Sequence, residues 1–194
     1  MTKKIILESP FSNADRGKFN ANYFYLCLVA RKLMVEQEAS PLFFHALYTQ
    51  FLHDNVIEER NLGLFKSFEW HTFGDCKLYA IDRGISAGMI LGAEDAIKKG
   101  MPVMFFTAMP VDHEISKRIS EINSIEDNQA RWNAGLEYVS EIQATSSTFE
   151  KAGELTAYKQ HNSSMLNDVE ECILEFFAPL VDHIRESRHQ RSIG

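Results

Sequence analysis

Four short apolar runs in the first 106 residues constrain the fold more than any other feature of the sequence. The runs are 4–7, 42–47, 77–82 and 102–106. They are rich in β-branched or aromatic residues and are bounded by turn-forming residues, which is typical of buried strands. The three stretches between them are 18–37, 57–70 and 84–99. The first two favour helices because their apolar residues recur at spacings of three or four, and the third does so because it ends in Lys98 and Lys99 followed by Gly100.

Alternation of strands and helices predicts an α/β domain with a four-stranded parallel sheet, because right-handed crossovers join strands that run in the same direction. We expect the strand order 2-1-3-4, which gives a switch point between strands 1 and 3. Ligands of such sheets bind at the carboxyl ends of the strands beside the switch point. This order brings two groups of residues together at one sheet edge: Glu8, Ser9 and Pro10, and Asp82, Gly84 and Ser86.

The net charge of −7 is unevenly distributed along the chain. Residues 1–106 carry 12 acidic and 12 basic side chains, so residues 107–194 carry the whole excess of acid. This predicts an α/β domain over 1–106 and a helical extension over 107–194. An acidic half argues against non-specific nucleic-acid binding, which needs a basic surface. No apolar run is long enough to span a membrane, and Glu8 ends the first run too early for a secretory signal.

The extension contains one clear amphipathic pattern, over about 163–185. Its apolar stripe consists of Leu166, Val169, Ile173, Phe176, Leu180 and Ile184. A stripe of this kind either packs on the α/β core, which is the commoner outcome, or forms a contact between subunits.

Cysteine and histidine spacing gives no sign of a disulfide framework or of a metal site. Cys27, Cys76 and Cys172 are odd in number and widely separated, which suits reduced thiols in a cytoplasmic protein. The histidines show no ligand spacing, so we expect neither a metal nor another cofactor.

The segment 82–92 is the densest functional signal. Its glycines, at Gly84, Gly88 and Gly92, allow close approach of a ligand to the backbone, and the first turn of the following helix offers free N–H groups to an anion. Turns of this kind between a strand and a helix are also common for structural reasons alone.

Four ordered motifs carry a resemblance to a known superfamily. They are 8–11 (Glu-Ser-Pro-Phe), 45–50 (His-Ala-Leu-Tyr-Thr-Gln), 58–63 (Glu-Glu-Arg-Asn-Leu-Gly) and 82–86 (Asp-Arg-Gly-Ile-Ser). Together with the helix-opening motif 88–92 (Gly-Met-Ile-Leu-Gly), they resemble an uncharacterised, phage-associated branch of the nucleoside 2-deoxyribosyltransferase-like superfamily. That superfamily includes the deoxynucleoside 5′-monophosphate N-glycosidases. The resemblance implies a small flavodoxin-like fold over about half of the chain, and a homo-oligomer in the cytoplasm (the host's, if a phage encodes the protein).

The same resemblance reveals one departure. The superfamily places its nucleophilic glutamate in the middle of the helix-opening motif, where this chain has Ile90, which cannot form a glycosyl-enzyme intermediate. Three interpretations remain open. Glu8 supplies the carboxylate, Glu94 supplies it from one turn further along the helix, or the domain binds a nucleotide without cleaving it.

The candidate residues follow from these placements, each with a structural alternative. We expect Glu8 to be the reacting carboxylate and Glu59 or Asp82 to protonate the leaving base, although Glu8 and Asp82 could instead bond to loop amides or cap a helix. Glu59 and Arg60 could equally lie on the surface. The predicted ligand-binding residues are Ser9, Pro10, Phe11, His45, Tyr48, Gln50, Arg60, Gly84, Ser86, Gly88 and Met89.

The leading hypothesis is an enzyme that acts on the N-glycosidic bond of a (deoxy)nucleoside or its monophosphate, either an N-glycosidase or a deoxyribosyltransferase. The alternative is a non-catalytic protein that senses or sequesters a nucleotide or a nucleotide-derived signal. A third reading makes the α/β domain a scaffold whose acidic extension contacts another protein.

Overall fold

The structure, a computed structural model, describes residues 2–12, 16–108 and 113–145. Within them lies one four-stranded, all-parallel sheet in the order β2-β1-β3-β4, formed by β1 (Lys4–Glu8), β2 (Ser40–Leu42), β3 (Cys76–Ala80) and β4 (Val103–Phe106). The predicted α/β class and strand order are confirmed. The apolar stripe over 166–184 lies outside the described residues.

Helices cover the sheet and connect its strands. They are α1 (Arg16–Glu36), α2 (Phe44–Tyr48), α3 (Ile57–Phe68), a 3₁₀ turn (Glu69–Thr72), α4 (Ala87–Lys98), α5 (His113–Asn123) and α6 (Asn128–Thr145). No helix among the described residues is long and apolar enough to cross a bilayer.

The second strand is shorter than the sequence predicts, and the prediction of a strand over 42–47 was wrong. β2 pairs with β1 only from Ser40 to Leu42, after which the chain turns into α2. Phe44 then packs into the core and stacks on Trp70, with ring centroids 5.5 Å apart. An apolar run of six residues fits a short helix as well as a strand, so its periodicity could not decide between them.

The outer edge of β4 is covered by side chains from beyond residue 106. Asn123 donates to the carbonyl of Phe105 and accepts from its N–H, both at 2.8 Å. Asn128 accepts from the N–H of Val103 at 2.8 Å and donates to the carbonyl of Met101 at 2.7 Å. Because an open edge exposes unpaired backbone groups, α5 and α6 protect the sheet by pairing with it through amides.

An aromatic cluster joins β3 and β4 to α6. Trp132 packs 4.8 Å from the ring of Tyr79 and stacks 5.6 Å from that of Phe105. All three side chains are buried. This cluster forms an apolar contact between the sheet and α6.

Candidate active site

A cavity of about 310 Å³ opens at the carboxyl end of β1. Its walls come from the loop after β1, from α2, from α3 and from the first turn of α4. This is the edge at which parallel sheets bind ligands, and the cavity is large enough for part or all of a small organic molecule.

The structure brings most of the sequence-predicted site residues to this cavity. Those that line it are Glu8, Ser9, Pro10, Phe11, His45, Tyr48, Glu59, Arg60, Ser86, Gly88 and Met89. Aromatic side chains form part of the wall, since Phe44 and Phe68 join Phe11 and Tyr48 there.

Three predicted residues lie elsewhere. Asp82 accepts hydrogen bonds from Tyr25 and Thr107 and from the N–H of Ala108 at 2.8 Å, so its carboxylate ties β3 to α1 and to the segment after β4. Gly84 occupies the turn after β3, with φ of 84°, and Gln50 is an exposed residue whose amide donates to Ala46. None of the three is part of the cavity wall.

Glu8 is the carboxylate that the fold holds most firmly in the cavity. Its Oε1 lies 2.9 Å from Nζ of Lys77, and its Oε2 lies 3.7 Å from Nδ1 of His45. Burial raises the pKa of the Glu8 carboxyl, but the charge of Lys77 and its hydrogen bond, together with His45 when its ring is protonated at low pH, outweigh burial, so the pKa lies below its usual range. Glu8 is therefore ionised at neutral pH.

His45 lies beside Glu8 on α2. Its Nε2 is 3.3 Å from Oγ of Ser9, while its buried Nδ1 has no hydrogen-bond partner among the described residues. Burial lowers the pKa of His45 more than Glu8 raises it, so the ring is neutral at pH 7. A neutral imidazole with one unpaired nitrogen is able to donate to, or accept from, a bound ligand.

A third group of polar residues lies at the first turns of α3 and α4. Ser86 is the N-cap of α4, and its hydroxyl accepts from the N–H of Met89 at 3.4 Å. Arg60 forms an ion pair of 3.0 Å with Asp54, and both line the cavity. Glu59 accepts from the backbone N–H of His53 at 2.6 Å. Ser86 therefore both caps α4 and lines the cavity.

Ile90 and Glu94 do not reach the cavity. Ile90 is partly buried against the hydrophobic core, and Glu94 is exposed on α4. Neither belongs to the cavity wall. A carboxylate for this cavity therefore has to come from another element, and β1 supplies one.

Sequence reasoning missed Lys77 and His71, which lie directly behind the cavity wall. Lys77 is fully buried within β3, and its ammonium contacts both Glu8 and the buried ring of His71. The available signal was a lysine inside a strand that is otherwise apolar, since a buried ammonium requires a partner. Nothing in the sequence identified that partner.

The described residues contain no group of three or more His, Cys, Asp or Glu side chains able to hold a metal ion. The groups that line the cavity are carboxylates, an imidazole, a guanidinium, hydroxyls and aromatic rings.

Comparison with known proteins places the chain in a family without assigning an activity. No curated protein matches the sequence. Among solved structures, the chain is similar to the 2-deoxyribosyltransferase of the psychrotolerant bacterium Bacillus psychrosaccharolyticus, with 16% identity and a TM-score of 0.40, over 66% of this chain and 95% of that one. A likeness this distant does not indicate a shared activity. The model of the family described as "Domain of unknown function (DUF7768)" matches residues 3–106, more than half of the chain, and the protein therefore belongs to that family.

Proposed function

We propose that this protein acts on the N-glycosidic bond of a nucleoside or nucleoside monophosphate, with Glu8 as the reacting carboxylate. The observation that carries the proposal is an ionised carboxylate in the wall of a partly aromatic cavity at the carboxyl end of β1. The resemblance of five sequence motifs to the deoxyribosyltransferase-like superfamily supports the choice of substrate class.

The aromatic part of the cavity suits a nucleobase. Phe44, Tyr48 and Phe68 contribute flat apolar surfaces, and an aromatic ring stacks on any of the nucleobases. The polar part, with Arg60 and the first turn of α4, suits sugar hydroxyls or a 5′-phosphate. A nucleoside monophosphate has these two chemical parts joined through its sugar.

The proposed reaction is a displacement at C1′ of the sugar. A carboxylate oxygen of Glu8 forms a bond to C1′ as the bond to the base nitrogen breaks, and the electron pair of that bond leaves with the base. The base takes a proton from a group in the cavity, for which Glu59 is placed and Asp82 is not. Water or a second base then attacks C1′, its proton returns to the group that protonated the first base, and the bond between C1′ and Glu8 breaks.

A non-catalytic binder is the second candidate, and Ile90 favours it. The position at which the superfamily carries its nucleophile here packs on the core, and Glu8 is already engaged by Lys77. Under this alternative, the same cavity binds a nucleotide and leaves its glycosidic bond intact.

A panel of nucleosides and their 5′-monophosphates distinguishes the two functions. Purified protein is incubated with each compound, free base is measured by chromatography, and ligand binding is measured by thermal shift. We expect free base from the wild type, no free base from Glu8→Gln, and a retained thermal shift in that variant, because the amide keeps the shape of the side chain and removes its charge.

Glu94→Gln is the matched control, since it removes a carboxylate from an exposed position on α4. Its base release should equal that of the wild type. Thermal shifts without free base would establish the binder and overturn the proposed enzyme. Loss of activity in Glu94→Gln together with normal activity in Glu8→Gln would overturn the assignment of Glu8.

A further inference from the structure

A buried chain of charged and polar side chains runs from Glu8 to the outer face of α4. Nζ of Lys77 lies 2.9 Å from Oε1 of Glu8 and 2.7 Å from Nε2 of His71. Nδ1 of His71 lies 2.7 Å from Oδ2 of Asp95, which also pairs with Lys99 at 2.7 Å. The chain thus links β1, β3, the 3₁₀ turn and α4.

The protonation states along this chain follow from its contacts. Burial lowers the pKa of the Lys77 ammonium, while the charges of Glu8 and Asp95 and the hydrogen bond to Glu8 oppose burial. In its charged form the ammonium has donors only, so Lys77 donates to Glu8 and to Nε2 of His71. Nε2 is then an acceptor, and the proton on Nδ1 is donated to Asp95. Burial and the charge of Lys77 lower the pKa of His71 to about 4, although Asp95 opposes them, so the ring is neutral at pH 7 as this arrangement requires.

The surroundings of Lys77 fix the position of its ammonium. The ring centroids of Phe68 and Tyr79 lie 5.5 Å and 6.0 Å from Nζ, close enough for cation–π attraction. On the α4 side, a Cβ at Gly92 would lie 2.5 Å from Nζ. The absence of a side chain at Gly92 therefore leaves the space that the ammonium occupies.

The two oxygens of Glu8 have different environments. Oε1 is held by Lys77, whereas Oε2 has His45 at 3.7 Å, beyond hydrogen-bond distance, and the residue lines the cavity. One oxygen is thus fixed and the other is left for a ligand. A fixed carboxylate attacks in one geometry, which is how enclosed sites gain rate from orientation.

We propose that Lys77, His71 and Asp95 are positioning residues, which hold Glu8 ionised and orient its second oxygen toward the cavity. None of them lines the cavity, so each acts through Glu8. The inference rests on the proposed function in treating Glu8 as the reacting group, but the charge state of Glu8 is measurable without any reaction.

Several other groups influence Glu8 and define the controls. His45 approaches it from α2, Tyr79 lies beside Lys77 on β3, and Lys99 stands behind Asp95 on α4. Asp54, Glu59 and Arg60 share the cavity wall. Of these groups, only Lys99 belongs to the same chain of contacts without facing Glu8, so Lys99→Met is the matched control for Lys77→Met.

The test is a titration of the Glu8 carboxyl by NMR on protein with ¹³C-labelled glutamate side chains, with the resonance assigned from Glu8→Gln. In the wild type we expect a pKa below that of an ordinary glutamate. In Lys77→Met we expect the pKa to rise by about one unit or more, because burial then acts without the compensating cation. Lys99→Met should leave the wild-type value unchanged.

Gly92→Ala serves as a second variant if Lys77→Met fails to fold, because its methyl group displaces the ammonium and keeps the charge in the protein. It should raise the Glu8 pKa by a smaller amount. A Glu8 pKa that equals the wild-type value in the folded variants would overturn the positioning role, whether or not the protein releases free base.

The kinetic counterpart separates the two proposals. In Lys77→Met, the acidic limb of the pH profile for base release should move to higher pH together with the measured Glu8 pKa, and kcat should fall more than KM rises. If the Glu8 pKa shifts in the variants as expected but no compound releases free base, the proposed reaction is overturned and the positioning role is not. A shifted Glu8 pKa with an unshifted pH profile would overturn the link between this chain and catalysis.

Discussion

Lys77 and Tyr79 lie two residues apart on the same face of β3, yet their surroundings are opposite in character. Lys77 is surrounded by Glu8, His71 and the rings of two aromatic residues, and it buries a charge. Tyr79 packs on Phe105 and Trp132, which bury apolar surface. We call the first the ionic cluster (Glu8, Lys77, His71, Asp95) and the second the aromatic cluster (Tyr79, Phe105, Trp132).

The difference indicates that two positions of β3 have different roles, one in the stability of the fold and one in the charge and chemistry of the cavity. Aromatic packing stabilises a fold directly, whereas buried ion pairs often contribute less than the apolar residues that could replace them. The ionic cluster borders the cavity and the aromatic cluster faces α6. We therefore expect changes in the aromatic cluster to affect stability, and changes in the ionic cluster to affect charge and chemistry as well.

The largest expected effect on stability belongs to the aromatic cluster. Trp132→Ala should lower the free energy of unfolding by about 3 to 5 kcal/mol, because it removes a buried indole from between two rings and leaves a cavity. Denaturant unfolding measures the loss, and Trp132→Phe should lose clearly less. Ligand affinity of the folded fraction should not change. If Trp132→Ala unfolds at the same denaturant concentration as the wild type, the role assigned to this cluster is contradicted.

The ionic cluster should make stability depend on pH. An unfolded histidine gains a proton near pH 6.5, whereas His71 in the fold does so only near its pKa of about 4. The unfolded state therefore binds more protons between these values, and stability should fall as pH falls from about 6.5 to about 4, by roughly 3 kcal/mol from His71. The free energy of unfolding measured across this range should show a shallower pH dependence in His71→Asn. If the free energy of unfolding of His71→Asn depends on pH as steeply as that of the wild type, groups other than His71 cause the effect.

The energetic coupling between Glu8 and Lys77 should be smaller than the pH effect of His71, and it should be specific to this pair. Lys77→Met leaves a buried carboxylate without its cation and should be destabilising, while Glu8→Gln combined with Lys77→Met should recover part of the loss. A double-mutant cycle on unfolding free energies should give a coupling energy of about 2 kcal/mol. Additive losses would mean that the 2.9 Å contact contributes nothing to stability.

The smallest of these effects is expected at Ile90. Ile90→Glu introduces the glutamate that the superfamily with similar motifs carries at this position, but it places a charge against the core on a partly buried helix face. We expect a loss of about 1 to 2 kcal/mol in unfolding free energy and no gain in base release. A gain in base release would show that position 90 reaches the substrate, and it would contradict the cavity described above.

The sequence predicted the architecture well, because that architecture depends on local patterns. Four apolar runs and the helices between them predicted the parallel sheet, and the order 2-1-3-4, chosen because it gives a switch point between strands 1 and 3, is the order observed. The second strand failed, since the run after Leu42 becomes helix α2 and delivers His45 and Tyr48 to the cavity from a helix. Short apolar runs fit either structure, and they are distinguished by tertiary contacts such as that of Phe44 with Trp70.

The predicted parts of the candidate site either lie at the end of a strand or belong to the motifs that resemble the deoxyribosyltransferase-like superfamily. Glu8 ends β1, and Ser9 and Pro10 follow it directly, so their place at the carboxyl end of the strand was enough to predict them at the cavity edge. Asp82 also follows a strand, but its carboxylate bonds to Tyr25 and Thr107, which no spacing in the sequence connects to it. Lys77 and His71 meet through side-chain packing between β3 and the 3₁₀ turn. Contacts of that kind depend on the folded core and leave no periodic signal.

The most direct test of the central claim is to trap the proposed bond between Glu8 and the sugar. Purified protein is incubated with 2-deoxy-2-fluoro nucleosides and their monophosphates, whose fluorine slows the hydrolysis of a glycosyl-enzyme, and its peptides are analysed by mass spectrometry. We predict a glycosyl adduct on the peptide that contains Glu8, and no adduct in Glu8→Gln. An adduct on Glu59 or Glu94, or base release by a wild-type protein that never forms an adduct, would contradict the account.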